Sequence, residues 1–285
     1  MPKTILITGS SDGIGAAAAR RLSFDGHSVI IVGRSREKTA AVARELHSDF
    51  FVADFASLDE VRHLAAEITR RYPRIDVLAN NAGGVFGDPS RTVDGFEKTI
   101  QVNHLAPFLL TNLLQPVLSA SHASVIQTAS DAARISGKLV IDDLNNEAGR
   151  SPIRAYGDAK LANILFTAEL QRRFGSTGIS AAAFHPGTVA TNFAADTASL
   201  PMRLVYGNPL VRRLITTPAR AADQLVWLAT TVGGVDWNEG EYYEKGTEAR
   251  KAHPQTRSLQ LASELWEVSA RMVGLATTPH VGAQD

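Results

Sequence analysis

Short apolar, β-branched runs alternate with long Ala-rich amphipathic stretches, and this rhythm constrains the chain more than any other feature. "TILIT" (4–8) reads as a strand, "AAAARRLSFDG" (16–26) as a helix and "SVIIVG" (28–33) as a strand again. The alternation continues with a helix at 37–46, a strand at 50–54, a helix at 58–72, a strand and turn at 75–83 and a helix around 100–118. A strand at 124–130, a helix near 153–174 and a strand at 179–187 complete it. Strands that are apolar throughout, joined by helices, predict a parallel sheet covered on both faces. The expected fold class is therefore α/β, a single doubly wound Rossmann-type domain over 1–285 with its parallel sheet flanked by helices.

The stretch at 194–218, with Pro201, Pro209 and Pro218, breaks the rhythm and reads as a substrate-lid excursion from the sheet. A helix at about 219–231, a short strand in "EYYE" and a helix containing "LQLASELWEVSARM" follow it.

Composition removes whole classes of function. Twenty-nine basic residues balance twenty-nine acidic ones, so no global field draws the chain to nucleic acid or to an anionic membrane. The absence of cysteine excludes disulfides, a thiol nucleophile and Cys-ligated metals. The eight histidines are scattered without metal-site spacing, so no metal is expected. No run approaches the roughly 18 apolar residues of a membrane span. The opening residues do not resemble a signal peptide, and a cytoplasmic location is expected.

"TGSSDGIG" (8–15) lies between the first strand and the first helix. A Gly-rich turn there sets backbone N–H groups and a helix N-terminus against a diphosphate, so a dinucleotide is the expected ligand and an ordinary tight turn the alternative. The turn comprises Gly9, Ser11, Asp12, Gly13, Ile14 and Gly15. The second strand ends in Gly33 and Arg34, where a carboxylate would select NAD. A guanidinium instead pairs with a 2′-phosphate, which argues for NADP(H). Against it stand a merely solvated Arg34 and an Asp12 carboxylate turned toward the same phosphate.

"YGDAK" places Tyr156 and Lys160 one turn apart on one helix face. A neighbouring ammonium favours phenolate and brings a tyrosine down from about 10, as proton transfer at a carbonyl oxygen requires. Ser130 falls at the C-terminal end of the fifth strand, the edge where such sheets bind ligands; a turn hydroxyl is the alternative. His104 and His185 read as loop or packing residues.

With "TGSSDGIG", "NNAG" (80–83), "VNHLAPFLLT" (102–111), Ser130, "YGDAK" and "HPGTVAT" (185–191) in this order, the chain resembles the short-chain dehydrogenase/reductases over nearly its whole length. "DGFEKTIQVNHLAPFLLTNLL", "DAKLANILFTAELQRR" and "ASELWEVS" are similar to the retinol dehydrogenase and protochlorophyllide reductase-like branch. The resemblance implies Tyr156 as general acid/base and Lys160 as its pKa-lowering partner on the nicotinamide ribose. It further implies Ser130 at the substrate oxygen and Asn103 as the anchor of a proton-relay water. Asp54 and Phe55 match the adenine-contacting place, and Asn81, Ala82 and Gly83 the turn beside the adenosine ribose. Pro186, Gly187, Val189 and Thr191 match the segment over the nicotinamide.

The chain departs from the family pattern at Ala129, where relatives commonly carry a first serine, and in the 26 residues from Ser130 to Tyr156. The insert "RISGKLVIDDLNNEAGRSPIR" could line the substrate cleft or cover a helix used for dimerisation elsewhere in the family, so a homo-oligomer stays open. The resulting expectation is an NADP(H)-dependent oxidoreductase that interconverts an alcohol and a carbonyl on a small or lipophilic substrate. The rivals are an NAD-preferring dehydrogenase, a sugar-nucleotide epimerase and a non-catalytic NADPH-binding sensor or interaction module. The epimerase branch usually has a different glycine spacing and an acidic residue after the second strand, and this chain has neither.

Overall fold

The computed structural model describes residues 1–87, 91–187 and 217–276. Eight strands form one sheet: β1 (Thr4–Thr8), β2 (Ser28–Gly33), β3 (Phe50–Val52), β4 (Val77–Asn80), β5 (Ser124–Thr128), β6 (Ser180–His185), β7 (Tyr242–Glu244) and β8 (Thr247–Glu248). Their order is β3-β2-β1-β4-β5-β6-β7-β8. All neighbours pair in parallel except β7 and β8, which are antiparallel. The chain runs outward from β1 in one direction and then restarts at β4 in the other, which opens a crevice at the C-terminal edge between the two halves.

Register explains why these strands are apolar on every residue. Leu6 lies opposite Ile30 and Leu78, and Leu78 opposite Val125; all four enter the core on one face. Ile7 lies opposite Ile31 and Ala79, and Ala79 opposite Ile126; these enter the core on the other. The second face is covered by α1 (Gly13–Phe24), α2 (Arg36–Leu46) and a later helix over Pro218–Thr230. The first is covered by α3 (Leu58–Arg71), by the helices at Ala106–Ala120 and Pro152–Phe174, and by the final one at Leu259–Met272. In chain order these are α5, α7, α8 (Pro218–Thr230) and α9 (Leu259–Met272), with the short α4 (Lys98–Ile100) and α6 (Ala132–Ile135) among them. Side chains fix the helix starts: Asp12, Ser35, Ser57, Thr217 and Ser258 each accept a backbone N–H of the first turn.

Three features depart from the sequence reading. The helix expected around 100–118 opens with α4 and then takes a π-helical turn over Gln101–Leu105 before continuing as α5. Hydrophobic spacing does not register one extra residue in a turn, although π-bulges are frequent at functional sites. β7 is followed by β8 in a hairpin across Lys245 (φ 52°) and Gly246 (φ 77°), both at the positive φ a type I′ turn needs. β3 and β5 end at Val52 and Thr128, so Asp54 and Ser130 stand in the loops beyond the strands.

The insert after β5 lies along α7. Gly157 makes this approach feasible, since a Cβ there would stand 2.6 Å from the Gly137 nitrogen. The buried Asp158 carboxylate accepts the Lys138 N–H at 2.6 Å and stands 3.1 Å from the Arg150 guanidinium, which holds the loop down. α5 packs instead along α3, and the Trp266 ring of α9 meets its Phe108 with centroids 5.0 Å apart. All but the last two residues of the 194–218 excursion lie outside the described residues.

Candidate active site

A cleft of about 520 Å³ opens at the C-terminal edge of the sheet, where β1, β4, β5 and β6 end. From the first turn it is lined by Gly9, Ser11, Asp12, Gly13 and Ile14, and from the end of β2 by Arg34. Asp54 and Phe55 line it after β3, and Asn81, Ala82 and Gly83 after β4. Ser130, Tyr156 and Lys160 form its deeper wall, with Pro186 and Gly187 after β6. Gly15 and Asn103 lie behind this lining, and Val189 and Thr191 lie outside the described residues.

The turns that build the cleft are tied to one another. Gly9 has φ +64°, and a Cβ on it would sit 2.8 Å from the Ala82 Cα, so only glycine lets the first turn approach the fourth-strand turn so closely. Thr8 Oγ1 accepts both the Asn81 and the Ala82 N–H groups at 3.0 Å. Asn81 Nδ2 donates back to the Thr8 carbonyl at 3.0 Å. The opening N–H groups of α1 have no acceptors within the helix and face this end of the cleft. Asp12 accepts the Gly13 N–H at 2.7 Å and lies 3.5 Å from Lys38 Nζ, so its negative charge is balanced by a lysine of α2.

α7 carries Tyr156 and Lys160 on one face, both buried. Lys160 Nζ donates to the Thr128 carbonyl at 2.9 Å and stands 5.5 Å from the centroid of the Tyr156 ring. Burial pulls the lysine ammonium down to about 7. Ser130 is half-buried, and its Oγ accepts the Ala132 N–H at 3.2 Å.

Asn103 sits in the π-helical turn and spends its side chain on the loop after β4. Its Nδ2 donates to the Gly84 and Thr99 carbonyls, each at 2.8 Å, and its Oδ1 accepts the Gly84 N–H at 3.1 Å. Both ends of the Asn103 side-chain amide are thus occupied by main-chain groups.

Other lining residues stand outside the sequence-predicted set. Ile135 and Ser136 of the insert and Ile153 at the start of α7 line the cleft, and Ile135 and Ile153 are 71% and 53% exposed. The insert length was their only sequence signal. Lys98 lies 5.2 Å over the Phe86 ring, a pairing of residues twelve apart that spacing does not reveal. His185 lines the cleft and accepts the Asp131 N–H through Nδ1 at 3.3 Å, so it packs the turn beside Ser130. Burial lowers its pKa, which favours the neutral ring.

The arrangement is an elongated cleft with the start of α1 at one end, and a buried phenol, a buried amine and the half-buried Ser130 hydroxyl at the other. Known proteins resemble this chain in sequence and fold. The family model for short chain dehydrogenases matches residues 3–200. Over 280 residues the chain is 41% identical to the "Putative daunorubicin C-13 ketoreductase DnrU" of Streptomyces sp. (strain C5), covering 95% of this chain and 93% of the relative. It is 35% identical to human retinol dehydrogenase 13 over 289 residues, 96% of this chain and 85% of the relative. Among solved structures, a protein from Mycobacterium paratuberculosis superposes with a TM-score of 0.75 at 31% identity, covering 97% of this chain and 95% of that one. The Pseudomonas aeruginosa RhlG/NADP active-site complex does so with a TM-score of 0.67 at 25% identity, covering 84% and 93%. With the family model, the relatives and the fold in agreement, the chain belongs to the short-chain dehydrogenase/reductase superfamily, in its retinol dehydrogenase-like branch.

Proposed function

We propose that this protein is an NADP(H)-dependent oxidoreductase that interconverts an alcohol and a carbonyl on a lipophilic substrate, with Tyr156 as general acid and base. The observation that carries the reading is Lys160: a buried ammonium with one hydrogen bond among the described residues, in the cleft wall and over the Tyr156 ring. A lysine has three N–H donors, so two are available to ribose hydroxyls. The residues from the opening of α1 to this lysine would hold the dinucleotide, and a nicotinamide bound there would supply a hydride to the carbonyl carbon or take one from the alcohol.

The chain's own groups handle the proton and the charge. Tyr156 donates a proton to the substrate oxygen in reduction and removes it in oxidation. Ser130 donates a hydrogen bond to the same oxygen and stabilises the charge that develops on it. When it carries its proton, Lys160 favours phenolate over phenol on the neighbouring tyrosine. A binder without turnover has no need of Ser130.

Arg34, exposed at the end of β2 and lining the cleft, supports NADP(H) over NAD(H). RhlG, whose structure is described with NADP, is consistent with that choice. Exposed Ile135 and Ile153 at the rim favour a lipophilic substrate, and the ketoreductase relative's name favours a ketone. No helix among the described residues is long and apolar enough to cross a membrane, and the absence of cysteine suits a reducing cytoplasm. A panel of ketones, aldehydes and alcohols, followed by NADPH consumption or NADP⁺ reduction, tests the reading. Turnover with any of them supports it, and cofactor binding without turnover across the panel sinks it in favour of a sensor.

A further inference from the structure

The segments "VNHL", "KLAN" and "LWEVS" contribute no side chain to the cleft wall beyond Val102 and Lys160, yet they meet behind it. His104 Nε2 lies 2.8 Å from Ser269 Oγ, and His104 Nδ1 lies 3.3 Å from Asn163 Oδ1. Asn163 Nδ2 then donates to the Asn103 carbonyl at 3.0 Å. His104, Asn163, Ser269 and Asn103 are all buried.

Chemistry fixes the direction of each bond. Since Asn163 spends its N–H on the Asn103 carbonyl, its oxygen faces the ring and can only accept, so His104 Nδ1 carries the proton. Nε2 is then an acceptor, and Ser269 donates to it. All three donors point one way, from α9 toward the main chain of Asn103. Burial brings His104 down to about 4, and the ring is edged by Phe166 and packed near Phe108, so it stays neutral.

The Asn103 carbonyl requires such a partner. An α-helix would give it the N–H of the residue four positions on, but that residue is Pro107, which has none. The π-helical turn over Gln101–Leu105 further displaces the local ladder. Asn163 fills the gap from the neighbouring helix and leaves the carbonyl's second lone pair for another donor. Asn103 also touches the loop beside Lys160: a Cβ on Gly83 would sit 2.4 Å from Asn103 Oδ1 and 3.1 Å from Lys160 Nζ.

We propose that Ser269, His104 and Asn163 are positioning residues, a one-way hydrogen-bond chain through which α9 sets the Asn103 carbonyl for proton delivery to the Lys160 and Tyr156 site. The proposal rests on the oxidoreductase reading. It also gives the C-terminal helix a catalytic purpose beyond packing on α7.

The test compares kcat and KM for a carbonyl substrate with NADPH in wild type, Ser269→Ala, Asn163→Asp and the double variant, with melting curves to confirm folding. Asn163→Asp keeps the volume and the acceptor for His104 but turns an oxygen on the Asn103 carbonyl. Mispositioning should lower kcat roughly tenfold in each folded variant, with both KM values within about twofold. Because the chain acts as one unit, the double variant should be no slower than Asn163→Asp alone. Wild-type kcat in folded single variants, or losses that multiply in the double variant, would overturn the proposal. If the variants do not fold, ¹⁵N resonances of the wild-type imidazole decide: a proton on Nδ1 of His104 upholds the chain, and one on Nε2 refutes it. A wild type that turns over no carbonyl fails the oxidoreductase reading itself, which separates the two failures.

Discussion

Lys160 Nζ stands 5.5 Å from the centre of the Tyr156 ring while donating to the carbonyl of Thr128, the last residue of β5. One lysine thereby joins the strand that ends beside Ser130 to the helix that carries the phenol. Tyr156→Phe removes the exchangeable proton and keeps the ring. Turnover should fall by about 10² to 10⁴ with NADPH affinity nearly unchanged. Measured kcat close to wild type would mean that another group supplies the proton.

Burial of the same lysine makes folding stability depend on pH. Its ammonium titrates at about 7 in the folded chain against 10.5 ordinarily. Between those values the unfolded chain binds more protons than the folded one, so this group's penalty is fully present below pH 7 and is relieved as pH rises toward 10.5. Denaturant melts of wild type and Lys160→Met across pH 6 to 10 isolate the effect, since other groups cancel in the difference. Wild type should gain on the variant as pH rises. A difference that stays flat across that range would place the lysine in a solvated site.

Much of this was legible because the physics is local. The register that buries Leu6 on one face and Ile7 on the other needs apolar residues at every strand position, and a βα turn that meets a neighbouring turn at Gly9 needs glycine. Both leave marks in the sequence. Tyr156 and Lys160 were legible because one helix carries both. What escaped depends on tertiary approach. His104 is buried against Phe108 and Phe166 as a packing residue should be, but its hydrogen bonds escaped, because Asn163 and Ser269 are 59 and 165 residues away. The π-helical turn hid inside a helical pattern, with Pro107 as its one trace. The contact of Lys38 with Asp12 escaped as well, since 26 residues separate the two.

The apolar rim should govern substrate choice. Ile135 and Ile153 belong to separate helices, line the cleft and are largely exposed, an arrangement that has no benefit to stability. A lipophilic substrate that covers them gains about 0.8 kcal/mol per buried CH₂, which is roughly fourfold in binding. Ile135→Ser and Ile153→Ser should therefore each lower kcat/KM for a long-chain ketone by fourfold or more, through KM. A small polar ketone should be unaffected. Equal losses on both substrates would point to a distorted cleft rather than a lost contact.

Cofactor preference is the most direct check on the functional reading. Arg34 stands at the end of β2 where a carboxylate would bind ribose hydroxyls, and Asp12, the nearest negative charge of the Gly-rich turn, is held by the Gly13 N–H and balanced by Lys38. A guanidinium that meets a 2′-phosphate contributes charge-assisted hydrogen bonds of about 1.5 to 3 kcal/mol. At about 1.4 kcal/mol per tenfold, NADPH should bind about ten- to a hundredfold more tightly than NADH. Arg34→Ala should erase most of that preference by weakening NADPH while NADH is left nearly alone. The neighbouring Gly33 is a poor place to engineer the reverse change, since a Cβ there would lie 2.6 Å from Thr39 Oγ1 and 2.7 Å from Ser11 Oγ. Titration of both cofactors against wild type and Arg34→Ala settles the matter: equal affinities in wild type would assign the protein to NAD(H).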